Sequence, residues 1–110
     1  MTVNDIVNKL GLKVLSGENG LTNEVKFGYS SDLLSDVMGN AEANSIWVTL
    51  QTHKNVIAIA SLKELAAIIL VKGNKPEEDA AIASNEENIP VLGTDMQTFE
   101  ICGELYKLLK

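Results

Sequence analysis

The sequence predicts an α/β domain in three layers, a mostly parallel central sheet of about four to five strands flanked by helices. Three observations lead there. Strand-like runs at 24–29, 45–50, 66–71 and 89–92 alternate with segments of helical periodicity, so the order after residue 24 is β-α-β-α-β-α-β-α. Parallel neighbours need a crossover between them, usually a helix, and such crossovers are right-handed. Hydrophobic residues make up 45% of the chain and aromatics only 5%, so the core must be aliphatic. The 110 residues amount to one domain, 1–110, long enough to bury a core without a metal or disulfide staple.

Each element has its own signal. Val3, Ile6, Val7 and Leu10 repeat at helical spacing and Gly11 stops the pattern. Residues 13–15 read as a short extended piece before the turn at 16–20. The strand at 24–29 precedes a helix at 32–38, with Leu34, Val37 and Met38 inward, Gly39 as its stop and Asp32 as its cap. Residues 45–50 (SIWVTL) form the next strand. The segment 55–65 pulls two ways: VIAIAS alternates like a strand, while LKELAA favours helix. The buried strand at 66–71 decides for helix, because two parallel neighbours require a crossover; a hairpin is the alternative. Pro76 suits a first helical position, and Glu77, Glu78 and Asp79 favour the positive end of a helix running to about residue 87. A strand at 89–92 follows. The last helix, 95–109, has Thr94 or Asp95 as its cap and carries two apolar stripes. One is Phe99, Cys102, Tyr106 and Leu109; the other is Ile101, Leu105 and Leu108.

Charge narrows the function. Nine basic against fifteen acidic side chains give a formal net charge of -6, with no basic field for nucleic acid or for an anionic membrane. The single cysteine, Cys102, cannot form an internal disulfide and reads as a small hydrophobe. The N-terminal stretch lacks the pattern of a signal peptide, and no run reaches transmembrane length, so a cytoplasmic protein is expected.

Ligands of such sheets bind beyond the carboxyl ends of the strands. A polar junction follows each strand here: Ser30-Ser31-Asp32, Gln51-Thr52-His53-Lys54-Asn55, Lys72-Gly73-Asn74 and Gly93-Thr94-Asp95. Taken singly, each is an ordinary helix cap. The second departs most from that reading, since a cap needs one small polar residue and five stand together, with the chain's only histidine among them. The candidate ligand-binding residues are therefore Ser30, Ser31, Thr52, His53, Lys54, Asn55 and Thr94. Ser30 and Ser31 are expected to face a cleft shared with Thr52, His53 and Asn55, and Lys54 beside a helix N-terminus suits a small anion or a nucleotide. The phosphate-loop, dinucleotide and nucleophile-elbow motifs are missing, and one His with one Cys does not make a usual zinc site, so no cofactor or metal is expected.

The runs GYSSDLLSDVMGNA, SIWVTLQTHKNVIAIASLKELAAIILVKGNKPEED and IPVLGTDMQTFEICGELYKLL resemble a stand-alone DRTGG domain protein, related to the N-terminal domain of HPr kinase/phosphorylase. The resemblance covers residues 3–109, and GYSSDLLSDVM with LQTHKNV is its most specific part. It implies an α/β fold, dimerisation, and a regulatory or assembly role without catalytic residues. The string Asp-Arg-Thr-Gly-Gly that names the domain is absent, so no functional residues carry over. The expected function is a non-catalytic module that self-associates and binds a small anionic ligand or a partner protein. Ile101, Leu105 and Leu108 are the expected dimer contacts. The alternative is a small enzyme with His53 as general acid/base.

Overall fold

The computed structural model describes all residues, 1–110. Helix α1 (Val3–Leu10) leads into strand β1 (Lys13–Ser16) and a single 3-10 turn at Glu18–Gly20. Then follow β2 (Phe27–Ser30), α2 (Leu34–Asn40), β3 (Ser45–Thr49), α3 (Lys54–Leu62), β4 (Ala67–Leu70), α4 (Glu78–Glu87), β5 (Val91–Gly93) and α5 (Thr98–Leu109). The five strands lie in the order β1-β5-β4-β3-β2. Strands β2 to β5 are parallel, and β1 joins β5 antiparallel at the far edge. Of the doubtful segment 55–65, the part up to Leu62 is helix α3, as the crossover rule requires, while residues 63–65 of the helix-favouring LKELAA stretch turn out of it towards β4.

Alternation along the strands splits the core in two. Ile46, Val48, Ala67, Ile69 and Leu92 face α1 and α5, meeting Val3, Ile6, Ile101 and Leu105. Trp47, Ile68, Leu70 and Val91 face the other way, against Val37 of α2, Val56, Ile57, Ile59 and Ala60 of α3, and Ala80 of α4. Burial on both faces explains why β3 and β4 read as unbroken apolar runs rather than as alternating ones. At Gly17 the turn after β1 accepts only glycine. Gly17 has φ +70°, and a Cβ there would sit 2.3 Å from the Ile89 carbonyl oxygen. Next to it, Ser16 Oγ donates to Ser84 Oγ at 2.8 Å, and Ser84 Oγ donates to the Ile89 carbonyl at 2.6 Å, so β1 is bolted to α4 through a dry hydroxyl pair.

Several expected details move. The strand at 24–29 begins only at Phe27, because Glu24 instead bridges to Thr2 and Val25 is buried beside α1. Helix α2 starts at Leu34 and runs through Gly39, which does not stop it; Met38 points to solvent. Asp32 is not the cap of α2: Leu33 holds that position without a side-chain bond. Pro76 precedes α4 rather than opening it, since Glu77 is the N-cap. Thr94 and Asp95 do not cap α5. Gln97 does, with its own N–H donating to Glu100 Oε1 at 3.2 Å. The dimer contacts expected at Ile101 and Leu105 lie in the core, and Leu108 packs against it. The apolar stripe that α5 leaves in solvent is the other one, where Phe99 is 90% and Tyr106 66% exposed.

Ile59 tests the crossover assignment. Because it packs between α3 and the sheet, Ile59→Ala should cost roughly 2–5 kcal/mol through lost transfer energy and the cavity left behind. Urea denaturation reads the change directly, and a loss below about 1 kcal/mol would contradict the packing described for α3.

Candidate functional site

The loops after the parallel strands share one edge of the sheet, and a series of hydrogen bonds ties each to the next. Asp32 makes the first tie. Its Oδ1 accepts from Thr49 Oγ1 at 2.8 Å and from the Leu50 N–H at 2.9 Å, and its carbonyl accepts from Gln51 Nε2 at 3.0 Å. The carboxylate thus closes the end of β3 instead of starting its own helix. Trp47 adds a second bond between the same two strands, its indole N–H donating to the Ser31 carbonyl at 2.8 Å. The next tie joins the start of α3 to the start of α4. The Glu77 N–H donates to the Thr52 carbonyl at 3.0 Å, and Glu77 Oε2 accepts from Thr52 Oγ1 at 3.4 Å and lies 2.9 Å from His53 Nδ1. The last joins the loop after β4 to the loop after β5, through Gly73 N–H to the Thr94 carbonyl and Lys72 N–H to the Met96 carbonyl.

The expected site residues divide accordingly. Ser31 sits in the β2–α2 loop, where its Oγ accepts from the Leu33 N–H at 3.1 Å. Ser30 ends β2 with an exposed side chain. Thr52 and His53 are brought together by Glu77, while Lys54 and Asn55 open α3 on the exposed side. Thr94 belongs to the tie at the β5 end, where its Oγ1 accepts from the Met96 N–H at 3.2 Å. The start of α3 has no side-chain cap bond. Its backbone donors and Lys54 are the part of this edge suited to an anion, with Glu77 opposing them nearby.

Sequence reasoning missed the Tyr29–Asp36 pair. The Tyr29 hydroxyl donates to Asp36 Oδ2 at 2.8 Å, and Asn40 Nδ2 donates to Asp36 Oδ1 at 3.1 Å. The Tyr29 hydroxyl, with those of Ser31 and the Asn40 amide behind it, holds the Asp36 carboxyl below the usual aspartate range against the opposing effect of partial burial. The same bond, helped by partial burial and by the Asp36 charge, raises the Tyr29 phenol. The signal in the sequence was there: Asp36 follows Tyr29 by seven residues, across one strand end and one helical turn.

Also missed was a groove of about 490 Å³ on the opposite face of β2, between that strand and α5. Gly28 and Ser30 form its floor, and Cys102, Tyr106 and Leu109 form one wall, with Lys26 and Lys110 at its rim. The exposed stripe of α5 continues past it to Phe99. The second apolar stripe on the last helix pointed to this surface, but periodicity alone did not say which stripe was inside.

A family model described as the DRTGG domain matches residues 5–108. Among solved structures, the chain is similar to the CBS and DRTGG domains of the regulatory region of a Clostridium perfringens pyrophosphatase, complexed with its activator diadenosine tetraphosphate. The TM-score is 0.72 at 13% identity, with 93% of this chain and 44% of that one covered, so this chain spans less than half of its neighbour's length. At that identity the likeness speaks for the fold. No curated protein matches. No helix is long and apolar enough to cross a membrane.

Two predictions rest on these bonds. Asp32→Ala removes the acceptor shared by Thr49 and Leu50 and should cost roughly 1–3 kcal/mol in urea denaturation. The second concerns pH. The Asp36 carboxyl is depressed in the folded chain, so its stabilising contribution is present above the unfolded aspartate value, near about 4, and is lost as pH falls through the lower folded value. Melting temperature against pH should therefore fall more gently on the acid side in Asp36→Asn than in the wild type. Identical acid limbs would show that the Tyr29–Asp36 bond carries no linkage.

Proposed function

The chain belongs to the DRTGG domain family, and from that premise we propose that it is a non-catalytic regulatory module that acts by self-association. One observation carries the reading: the apolar α5 stripe and the groove beside β2 form a continuous exposed surface at one margin of the sheet. Large exposed apolar patches on a soluble chain mark surfaces made to be covered. A second copy is the covering that the family resemblance suggests. A small anionic ligand is the second part of the proposal. Its place is the start of α3, where uncapped N–H groups stand beside Lys54. The pyrophosphatase neighbour was solved with diadenosine tetraphosphate, which makes adenine nucleotides the first compounds to titrate.

The enzyme reading retains one supporting feature. Glu77 Oε2 lies 2.9 Å from His53 Nδ1, a carboxylate beside an imidazole as in many general-base sites. The side chains are 66% and 48% exposed, so the pair stands in water rather than in a dry cleft. A phosphate-ester and nucleotide panel separates the readings: turnover that disappears in His53→Ala would favour the enzyme.

Light scattering at micromolar concentration is expected to give a dimer, and a monomer would overturn the assembly proposal. Phe99→Ser combined with Tyr106→Ser should weaken the dimer by about tenfold or more, with circular dichroism unchanged, because both side chains are exposed in the single chain.

A further inference from the structure

The two edges of the sheet are built differently. At one edge, β1 carries Lys13, and its pairing with β5 shifts register between Val14 and Ser16. A charge and a bulge are how natural sheets block an open edge. At the other edge, β2 has no charged residue, no proline and no irregularity in its register with β3. Its N–H groups alternate. Phe27 and Ser31 donate inward, to Asn44 just before β3 and to Val48 within it. Gly28 and Ser30 therefore present their N–H and C=O groups outward, and both residues are exposed.

Resting on the reading that the chain self-associates, we propose that two copies join through antiparallel pairing of β2 with β2, about a twofold axis centred on Tyr29, so that two five-stranded sheets become one. The register follows from the hydrogen-bonding groups available. Centred on Tyr29, the axis sets Gly28 against the partner's Ser30 and Ser30 against the partner's Gly28, and every outward group of the strand finds a partner. Centred on Gly28 it would call on Lys26, whose N–H is already given to Asn44. The same axis, perpendicular to the sheet, keeps both α5 helices on one face. They meet antiparallel beside the strand pair, covering Tyr106 and the groove. Charge supports a second copy as the occupant. Lys107 stands 3.6 Å from Glu104 of its own helix, but Glu100 in the first turn of α5 and Lys110 just past its end lie at opposite ends, so antiparallel helices set an acid opposite a lysine.

Amide exchange on the wild-type protein tests this first. At dimer-forming concentration, the Gly28 and Ser30 amides should exchange at least roughly tenfold more slowly than in dilute monomer. A cross-link tests the register. In a non-hydrogen-bonded antiparallel pair the Cα atoms stand about 4.5 Å apart, within disulfide reach. Tyr29→Cys in a Cys102→Ser background should then give a covalent dimer on mild oxidation. As a further variant, Ser30→Pro removes an outward donor that the single chain does not use, and it should leave a folded monomer. A dimer whose Gly28 and Ser30 amides stay unprotected, or that Ser30→Pro does not disturb, overturns the strand-pairing mode while leaving self-association intact. A wild-type monomer overturns both and leaves the open edge to an extended segment of another protein.

Discussion

Burial of β3 and β4 on both faces is the constraint on which the rest of the molecule depends. A strand with no polar side must be covered twice. The strand order then decides which helices do the covering. Because β2, β3, β4 and β5 follow one another across the sheet without reversal, right-handed crossovers put α2, α3 and α4 on one face. The other face must be closed by helices that are not crossovers, and only the ends of the chain supply them. Helices α1 and α5 therefore share a cover that the topology does not otherwise provide. Helix α5 reaches the margin of the sheet over Gly28, where even an added Cβ would only touch Leu109 at 3.8 Å.

The absence of a reversal also bears on ligands. In open sheets the binding crevice forms where strand order changes direction. Here the neighbouring loops at the carboxyl edge are instead drawn together by Asp32, Glu77 and Thr94. The polar residues that looked free in the sequence are largely engaged in holding the loops to one another, and the start of α3 is the exception.

Much of the fold was legible because it rests on periodicity. The alternation of β and α, the parallel sheet and even the ambiguous α3 followed from aliphatic runs and the geometry of crossovers. What escaped was decided by contacts between segments distant in sequence. Asp32 stands where a cap should stand, yet Thr49 and the Leu50 N–H, on another strand, compete for its carboxylate and win. Glu77 read as a helix-dipole acid, and its partnership with His53 depends on two loops meeting. Of the two stripes on α5, Ile101 and Leu105 went inside, in one core with Ile46 and Val48 of β3 and Val3 and Ile6 of α1. Periodicity could count the stripes but had no means of ranking them. The polar ends of this protein are thus less readable than its apolar middle, since a hydroxyl or carboxylate can satisfy its bonds in many ways and a buried isoleucine in few.

The bulge between Val14 and Ser16 has a consequence beyond local geometry. With β1 irregular and pinned through Ser16 to α4, the sheet can be lengthened at one margin only. It has a valency of one. A strand added at β2 terminates growth, since the composite then shows a blocked β1 at each extremity. A sheet protein with two receptive margins can polymerise into fibres as its concentration rises. On the β2 pairing proposed above, this one would stop at closed pairs.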